Sequence, residues 1–539
     1  MSQKGIKNTE EKGTLEQETG KIVSKATAIA MFLLLVIFPV FITSGHYTNI
    51  LRVKYKFFWV MVVALAAVSV FVGAVFLFID MNENRGKKTK EWLARFKPSC
   101  WKETFSLADG GVLIFIVIAL ISTLTSEYLY EAFWGNEGRY SGFFLLALYT
   151  VLYFLVSRFF CFKRWYLDGF LISSMAACIF GITDYFRMDI MGFKEGIVPE
   201  MADIFTSTFG NINTFTAFVG MVLAVSAALF ALERDKKRTV WYYFCTAVSS
   251  VALITSQSDN GYLSVAAIFI ALPFFLFGTR TGIRRYLIIV ATFITAAAWV
   301  GYINVAMADT VIGLAGIGGV VTTLPGLGIL AAVLWLAVII WGWTDRKKKA
   351  GDQLGKAPRR IWKWLMVAVL AVVVICFVDA NFWGHGERYG AMQDFLVFRD
   401  SWGTNRGFVW RIAMEDYLHV FTPLQKLFGY GPDTFGIITT SFNSQEMHEV
   451  AGQIFDSAHN AYIHYFATIG PIGLAGYLVF LLGSLRAMAK NWKKDSCLFA
   501  LFLAVLGYSA QALVNIDLPI VTPFLWAFLG MGAAIIRRN

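Results

Sequence analysis

The feature that most limits what this chain can fold into is its long apolar runs. A helix crossing a bilayer needs about 20 mostly apolar residues, because in hydrocarbon every backbone hydrogen bond must be made within the spanning element. Fourteen stretches of the 539 residues meet that requirement: 27–47, 57–80, 110–126, 142–162, 165–186, 213–232, 239–256, 261–279, 285–306, 326–343, 361–379, 467–485, 495–514 and 519–536. The Gly-rich approach Ile312–Gly328 can also be read as a re-entrant piece. With 57% hydrophobic and 15% charged residues, against roughly 45–50% and 25% in soluble domains, an ordinary soluble enzyme is excluded. The expected fold is all-α, a polytopic membrane bundle of about fourteen helices with one large, partly helical outer loop.

Charge orients that bundle. If the N-terminus is cytoplasmic, 36 of the 47 Lys and Arg fall inside or at inner span ends and eleven outside, the heaviest clusters being Arg85–Lys102, Arg234–Arg238 and Arg346–Lys363. The positive-inside rule therefore predicts both termini in the cytoplasm. Arg52, Lys54 and Lys56 in the first outer loop run against it. Because the basic runs sit between spans, the net charge of +11 is a topology signal and no nucleic-acid partner is expected. The tail from Lys4 to Lys25 precedes a full-length span and reads as an uncleaved anchor. None of the six cysteines falls in the large outer loop, so no disulfide framework is expected there. The chain divides into a tail (1–26), a bundle (27–379), an outer loop carrying active-site residues (380–458) and a His-Asn element with the last three spans (459–539).

The outer loop is where the chemistry is expected. His385, His419, His448, His459 and His464 fall in it or just after it, together with Arg388, Arg399, Arg406 and Arg411. Its aromatic residues supply enough apolar surface to pack, so a functional loop is favoured over a disordered one. A helix is expected to begin at Asn405 as N-cap and end near Pro423, with Arg406 stacked on Trp410 and Arg411 paired with Glu415. Leu427-Phe428-Gly429-Tyr430-Gly431-Pro432-Asp433 then forces a turn. Further on, Asp456 or Ser457 is expected to cap a helix with His459 in its first turn, where the helix dipole keeps imidazole neutral and able to accept a proton.

The segment His459-Asn460-Ala461-Tyr462 followed by Gly470-Pro471-Ile472-Gly473 resembles the His-Asn signature of the O-antigen ligase and Wzy-type polymerase superfamily. Arg406-x-x-x-Trp410 with Gly429-Tyr430-Gly431-Pro432 is similar to that family's Arg-and-Trp helix and Gly-x-Gly turn. Glu137-Gly138-Arg139-Tyr140-Ser141-Gly142 and Phe209-Gly210-Asn211-Ile212-Asn213 resemble its first outer loop and its F-G-N-x-N element. The ordered set runs from about residue 130 to about residue 480.

The resemblance implies a GT-C-type glycosyltransferase in a bacterial plasma membrane. It would move a glycan from an undecaprenyl-diphosphate carrier, at the outer face, to a hydroxyl of a glycan, lipid, wall polymer or protein. It puts the general base on His459, diphosphate contacts on Arg406 and Arg139, and supporting roles on Asn460, Trp410 and Asn211. Where many members carry Ser-Arg-Gly, this chain has Gln257-Ser258-Asp259-Asn260-Gly261, so Arg411, Arg388 or Arg399 is expected to replace that arginine. No Asp-x-Asp pair stands in an outer loop and the histidines lack a ligand spacing, so arginine is expected in place of metal and no cofactor is implied. The bundle would hold the polyprenyl tail among membrane lipid, with Trp134 and Phe143 at the interface. The competing reading is a flippase for the same lipid-linked glycan, which paired repeats and mid-membrane charges would favour.

Overall fold

The computed structural model describes residues 15–347 and 352–538. Residues 1–14 of the basic tail, residues 348–351 of the basic run before Lys363, and Asn539 lie outside the described residues. The rest is helical. The strands among the described residues are a two-residue hairpin, Phe205–Thr206 against Gly210–Asn211.

In chain order the long helices are α1 (Leu15–Phe32), α2 (His46–Asn84), α3 (Leu107–Thr125), α4 (Phe143–Phe159), α5 (Trp165–Tyr185), α6 (Ile212–Leu232), α7 (Lys236–Thr255), α8 (Asn260–Leu276), α9 (Arg280–Ala306), α10 (Leu327–Lys347) and α11 (Ala357–Asn381). The outer loop contributes α12 (Trp402–Glu415) and α13 (Phe435–Ala451), and α14 (Ala461–Asn491), α15 (Ser496–Gln511) and α16 (Thr522–Arg538) close the chain. All fourteen apolar runs fall on helices. Nine helical segments among the described residues are long and apolar enough to cross a membrane, and α4, α8 and α15 are shorter apolar helices. The 17 residues of α4 reach about 25 Å at 1.5 Å per residue, just under the hydrocarbon thickness of about 30 Å. α7 opens on Lys236, Lys237 and Arg238, which lowers its mean apolarity. Gly316–Thr323 is a separate short helix ahead of α10, as the Gly-rich approach suggested.

The core sits on α6, buried without a break from Thr214 to Ala231 and packed by α7, α8 and α15. A helix apolar on all sides belongs in such a position. Small residues bring α3 and α14 together: a Cβ on Gly111 would fall 2.4 Å from the backbone nitrogen of Phe480. α11 presents no buried stretch and faces outward, as a helix against lipid does. Pro39 breaks the helical run after α1, and the carbonyls of Phe38 and Pro39 accept from buried Lys54 Nζ at 2.8 and 3.2 Å. Lys54 is thus a structural residue within α2, and its appearance as an outer-loop cation is corrected.

The outer loop docks on a kink in α14. Pro471 has no N–H to give the carbonyl of Ala467, and Gly470 (φ 78°, ψ 169°) breaks the helical path. Tyr430 N donates to the freed Ala467 carbonyl at 3.1 Å, and Gly431 N donates to that of Thr468 at 2.9 Å. Gly429 (φ 83°, ψ 179°) occupies the same glycine-only region as Gly470, and the two backbones touch. Phe408, Val409, Ile412, Phe435, Met447 and Phe455 form the loop's own apolar cluster over Ala467.

A Cβ on Gly470 would fall 2.3 Å from the Leu427 carbonyl oxygen, whereas one on Gly452 (φ 65°) would meet nothing within 4 Å. Gly470→Ala is therefore expected to destabilise by about 2 kcal/mol or more and Gly452→Ala by roughly half that. Thermal unfolding in detergent checks this; equal midpoints for the two variants would refute the docking contact.

Candidate functional site

Where the loop meets the bundle lies a cavity of about 560 Å³. Its walls come from the first turns of α2 (Tyr47 to Arg52), the turn Glu137 to Tyr140, the hairpin and start of α6 (Phe209 to Thr214), Asp456 with His459, and the segment Asn515 to Ile520. Five separate parts of the chain therefore converge. Of the residues expected at a site, His459, Arg139 and Asn211 line it; Arg406, Arg411, Arg388, Trp410 and Asn460 do not.

His459 is not in the first turn of a helix. The cap of α14 is Asn460, whose Oδ1 accepts from Tyr462 N at 2.9 Å and Ile463 N at 3.1 Å. His459 precedes it with φ 45°. Asp456 is instead taken by Arg139, and Ser457 Oγ accepts only a long bond from His459 N, 3.4 Å. Burial, then the fields of Arg406 and Arg139, push the His459 imidazole down to about 4, against a smaller opposing pull from Asp456. At neutral pH it is an uncharged proton acceptor. Trp410 steadies this segment by donating Nε1 to the Ala458 carbonyl at 2.9 Å, its ring packed against Phe398 and Trp402. Asn211 caps α6, accepting from Asn213 N at 2.8 Å.

The helix carrying Arg406 starts differently from expectation. Gly403, Thr404 and Asn405 all have positive φ, so Asn405 is a left-handed entry residue and makes no capping bond. Arg406 does not stack on Trp410; the cation–π contact in this helix is Arg411 over Phe408, 5.3 Å to the ring centre. Arg406 Nη1 donates to the Gly403 carbonyl at 2.8 Å, while its buried Nε has no partner among the described residues. Burial lowers its pKa, partly offset by Asp259. It does not form the cavity wall, yet stands close enough to His459 to act on it.

The remaining arginines are committed elsewhere. Arg411 is bidentate on Asp400 (3.0 and 2.9 Å) and also holds Glu415 at 3.0 Å and Glu446 at 2.7 Å. Three carboxylates leave it no capacity for a diphosphate. Arg388 lies 3.7 Å from Asp379 and Arg399 3.5 Å from Asp394, both away from the cavity. None of the three takes the place expected for a substitute arginine. Arg139 does line the cavity, but its Nε donates to Asp456 Oδ2 at 2.8 Å and its Nη2 to the other oxygen.

Residues 310–478 match the family model described as O-antigen ligase. The match supports the O-antigen ligase and Wzy-type family. No curated protein matches the chain. The matched segment holds the outer loop, Arg406, His459 and the kink of α14, while the turn around Arg139 and the F-G-N-I-N element lie before it. Together with the apolar helices the match points to a membrane-embedded protein, and glycan transfer of the ligase or polymerase type is what the matched family suggests.

Arg52, Glu137, Asn213 and Asn515 also stand in the cavity wall, and sequence reasoning assigned none of them a role there, although Glu137 and Asn213 lie within the quoted motifs. Arg52 had a signal, since it was an outer cation with no topological purpose. Asp433, the last residue of the Gly-Tyr-Gly-Pro-Asp turn, was also missed. It is fully buried and accepts from Asn136 N at 2.7 Å and Ser141 N at 3.0 Å, closing the turn that carries Glu137 and Arg139 into the cavity.

Burial pushes the Asp433 carboxyl up to about 7, against the two backbone donors and Arg139. Since an unfolded Asp titrates near ~3.9, the folded state holds the proton more tightly. That contribution to stability is complete below pH ~4 and is lost as pH rises through about 7. Relative to Asp433→Asn, the wild type should lose thermal stability between those limits; parallel curves would refute it. Arg411→Ala should lower the melting midpoint by a few degrees, measured by thermal unfolding, because its ion pairs with Asp400, Glu415 and Glu446 are lost. An unchanged midpoint would refute that structural role.

Proposed function

We propose that this chain transfers a glycan from an undecaprenyl-diphosphate-linked donor to an acceptor hydroxyl at the outer face of a bacterial plasma membrane, with both termini cytoplasmic. The observation that carries this reading is a neutral histidine, His459, in the wall of a large cavity and within the field of two guanidinium groups, Arg139 and Arg406. The family match supports the class of reaction.

A sugar on a diphosphate is already activated, so two tasks remain. His459 takes the proton from the acceptor hydroxyl as its oxygen bonds to the anomeric carbon. The bond from that carbon to the phosphate oxygen breaks, and its electron pair leaves with undecaprenyl diphosphate. Attack from the face opposite the leaving group inverts the anomeric configuration without a glycosyl-enzyme intermediate. Arg406 receives the growing negative charge: its unpaired, desolvated Nε–H is a donor that a phosphate oxygen would satisfy. Arg139, held by Asp456, contributes field more than contact. Trp410 and Asn460 hold the backbone on either side of His459.

The donor also tunes the base. Its negative charge cancels part of the field that keeps His459 at about 4, so the imidazole is a stronger base with donor bound. The acidic limb of kcat should therefore lie at higher pH than that of kcat/KM, activity falling as His459 becomes protonated in each case. Coincident limbs would count against this coupling. His459→Ala should lower transfer by about 10²–10⁴-fold and let lipid-linked glycan accumulate at normal protein level. Arg406→Ala should weaken donor use more than Arg406→Lys. Purified protein in bilayers, given carrier-linked donor and candidate acceptors, tests all of this: a product ladder marks a polymerase and a single adduct a ligase, while intact donor with every acceptor overturns the reading.

A further inference from the structure

Two cations line the cavity, Arg52 and Arg139. Their situations differ. Arg139 is neutralised by a bidentate pair with Asp456, whereas Arg52 is exposed and has no ion-pair partner among the described residues. Nearby Arg406 is itself partly offset by Asp259, whose Oδ1 accepts from Ile317 N at 2.8 Å. A diphosphate diester brings two negative charges. Arg406 balances only part of that charge, and Arg139 is already spoken for.

The placement of Arg52 in the chain argues the same way. Arg52, Lys54 and Lys56 are cations in a segment where orientation favours few. Lys54 is explained by the carbonyls of Phe38 and Pro39. Arg52 has no such structural partner, and its place is the cavity wall, which it shares with Tyr47 and Asn49 of the same helix and with the turn holding Arg139. Glu137, also in the wall and without an ion-pair partner among the described residues, suits sugar hydroxyls and repels phosphate. The cavity thus has one uncompensated positive group and a carboxylate that a polyol could use.

Resting on the proposed transfer reaction, we infer that Arg52 is a binding residue for the donor, its guanidinium pairing with the diphosphate of the lipid carrier that also reaches Arg406. The shared chemistry is a diphosphate anion, and the source is the membrane-bound carrier; free pyrophosphate is the alternative.

The test uses the full chain in lipid nanodiscs, with undecaprenyl diphosphate and inorganic pyrophosphate as separate probes. Arg52→Gln removes the charge and leaves a shorter polar side chain, and Arg52→Lys keeps the charge without the fork. Arg52→Gln should weaken carrier binding by about ten- to a hundredfold and flatten its salt dependence, with Arg52→Lys between it and wild type. Thermal midpoints within a degree or so of wild type are expected, because the side chain is exposed and unpaired. Carrier binding unchanged in Arg52→Gln but lost in Arg406→Ala would overturn the role of Arg52 and leave the transfer reading standing. Weakened binding of pyrophosphate alone would overturn it as well. A wild type that binds neither probe would overturn both.

Discussion

The site depends on an exchange of hydrogen bonds at the kink of α14. A proline inside a membrane helix strips a carbonyl of its donor, and an unsatisfied carbonyl in hydrocarbon costs several kcal/mol. Here the freed carbonyls of Ala467 and Thr468 are taken by Tyr430 N and Gly431 N from a distant turn, and Ser122 Oγ of α3 adds a second donor to Thr468 at 2.8 Å. The loop therefore docks because the helix needs it. Gly429 and Gly470 must both lack side chains for the two backbones to come so close. His459 stands three turns before the kink, and the Gly-Tyr-Gly-Pro-Asp turn ends in Asp433, which holds the Arg139 turn. One contact thus bears on two of the five parts of the cavity wall, those of His459 and Arg139.

The arginines show how surroundings, more than residue type, decide a role. Arg411 meets three carboxylates, two of them from outside its own helix, and becomes a strut of the loop. Arg406, five residues earlier, meets a carbonyl and burial, and keeps Nε unpaired. Arg139 is fixed by Asp456. The fates of Arg411 and Arg139 follow from partners distant in the chain, whereas Arg406 bonds only the Gly403 carbonyl three residues before it and keeps its charge for the surroundings of His459.

This explains which parts were legible in the sequence. The helices were legible because a bilayer accepts few architectures, and an apolar run of that length has one main outcome. His459, Arg139 and Asn211 were found through ordered short motifs and do come together. Local rules failed where tertiary contacts compete. Asp456 and Asn460 are both good N-caps, and the choice went to Asn460 because Asp456 is held by Arg139 and Ala461 N is fixed to the Ala512 carbonyl at 2.9 Å. The stacking of Arg406 on Trp410 failed because Trp410 is drawn to the Ala458 carbonyl. Asp400 and Glu446, which bind Arg411, lie 11 and 35 residues away, beyond any helical spacing. Arg52 was visible only as a breach of the charge rule.

Local costs also gather at this end of the molecule. Among the described residues, eleven non-glycine positions have positive φ; of these Tyr140 and His459 lie in the cavity wall, Asp433 holds the Arg139 turn, and Thr404 and Asn405 precede Arg406. Each such position costs on the order of 1–3 kcal/mol, and the unpaired Nε of Arg406 adds a desolvation penalty of about the same size. A fold selected for stability alone would relieve these costs, because glycine or asparagine at position 459 would serve the chain better than histidine. They persist where the surrounding contacts, above all the docked turn, over-determine the backbone. An anion beside Arg406 would offset one of them, satisfying its Nε and opposing the field that keeps His459 from holding a proton. The strain and the unpaired donor therefore gather at the same end of the molecule.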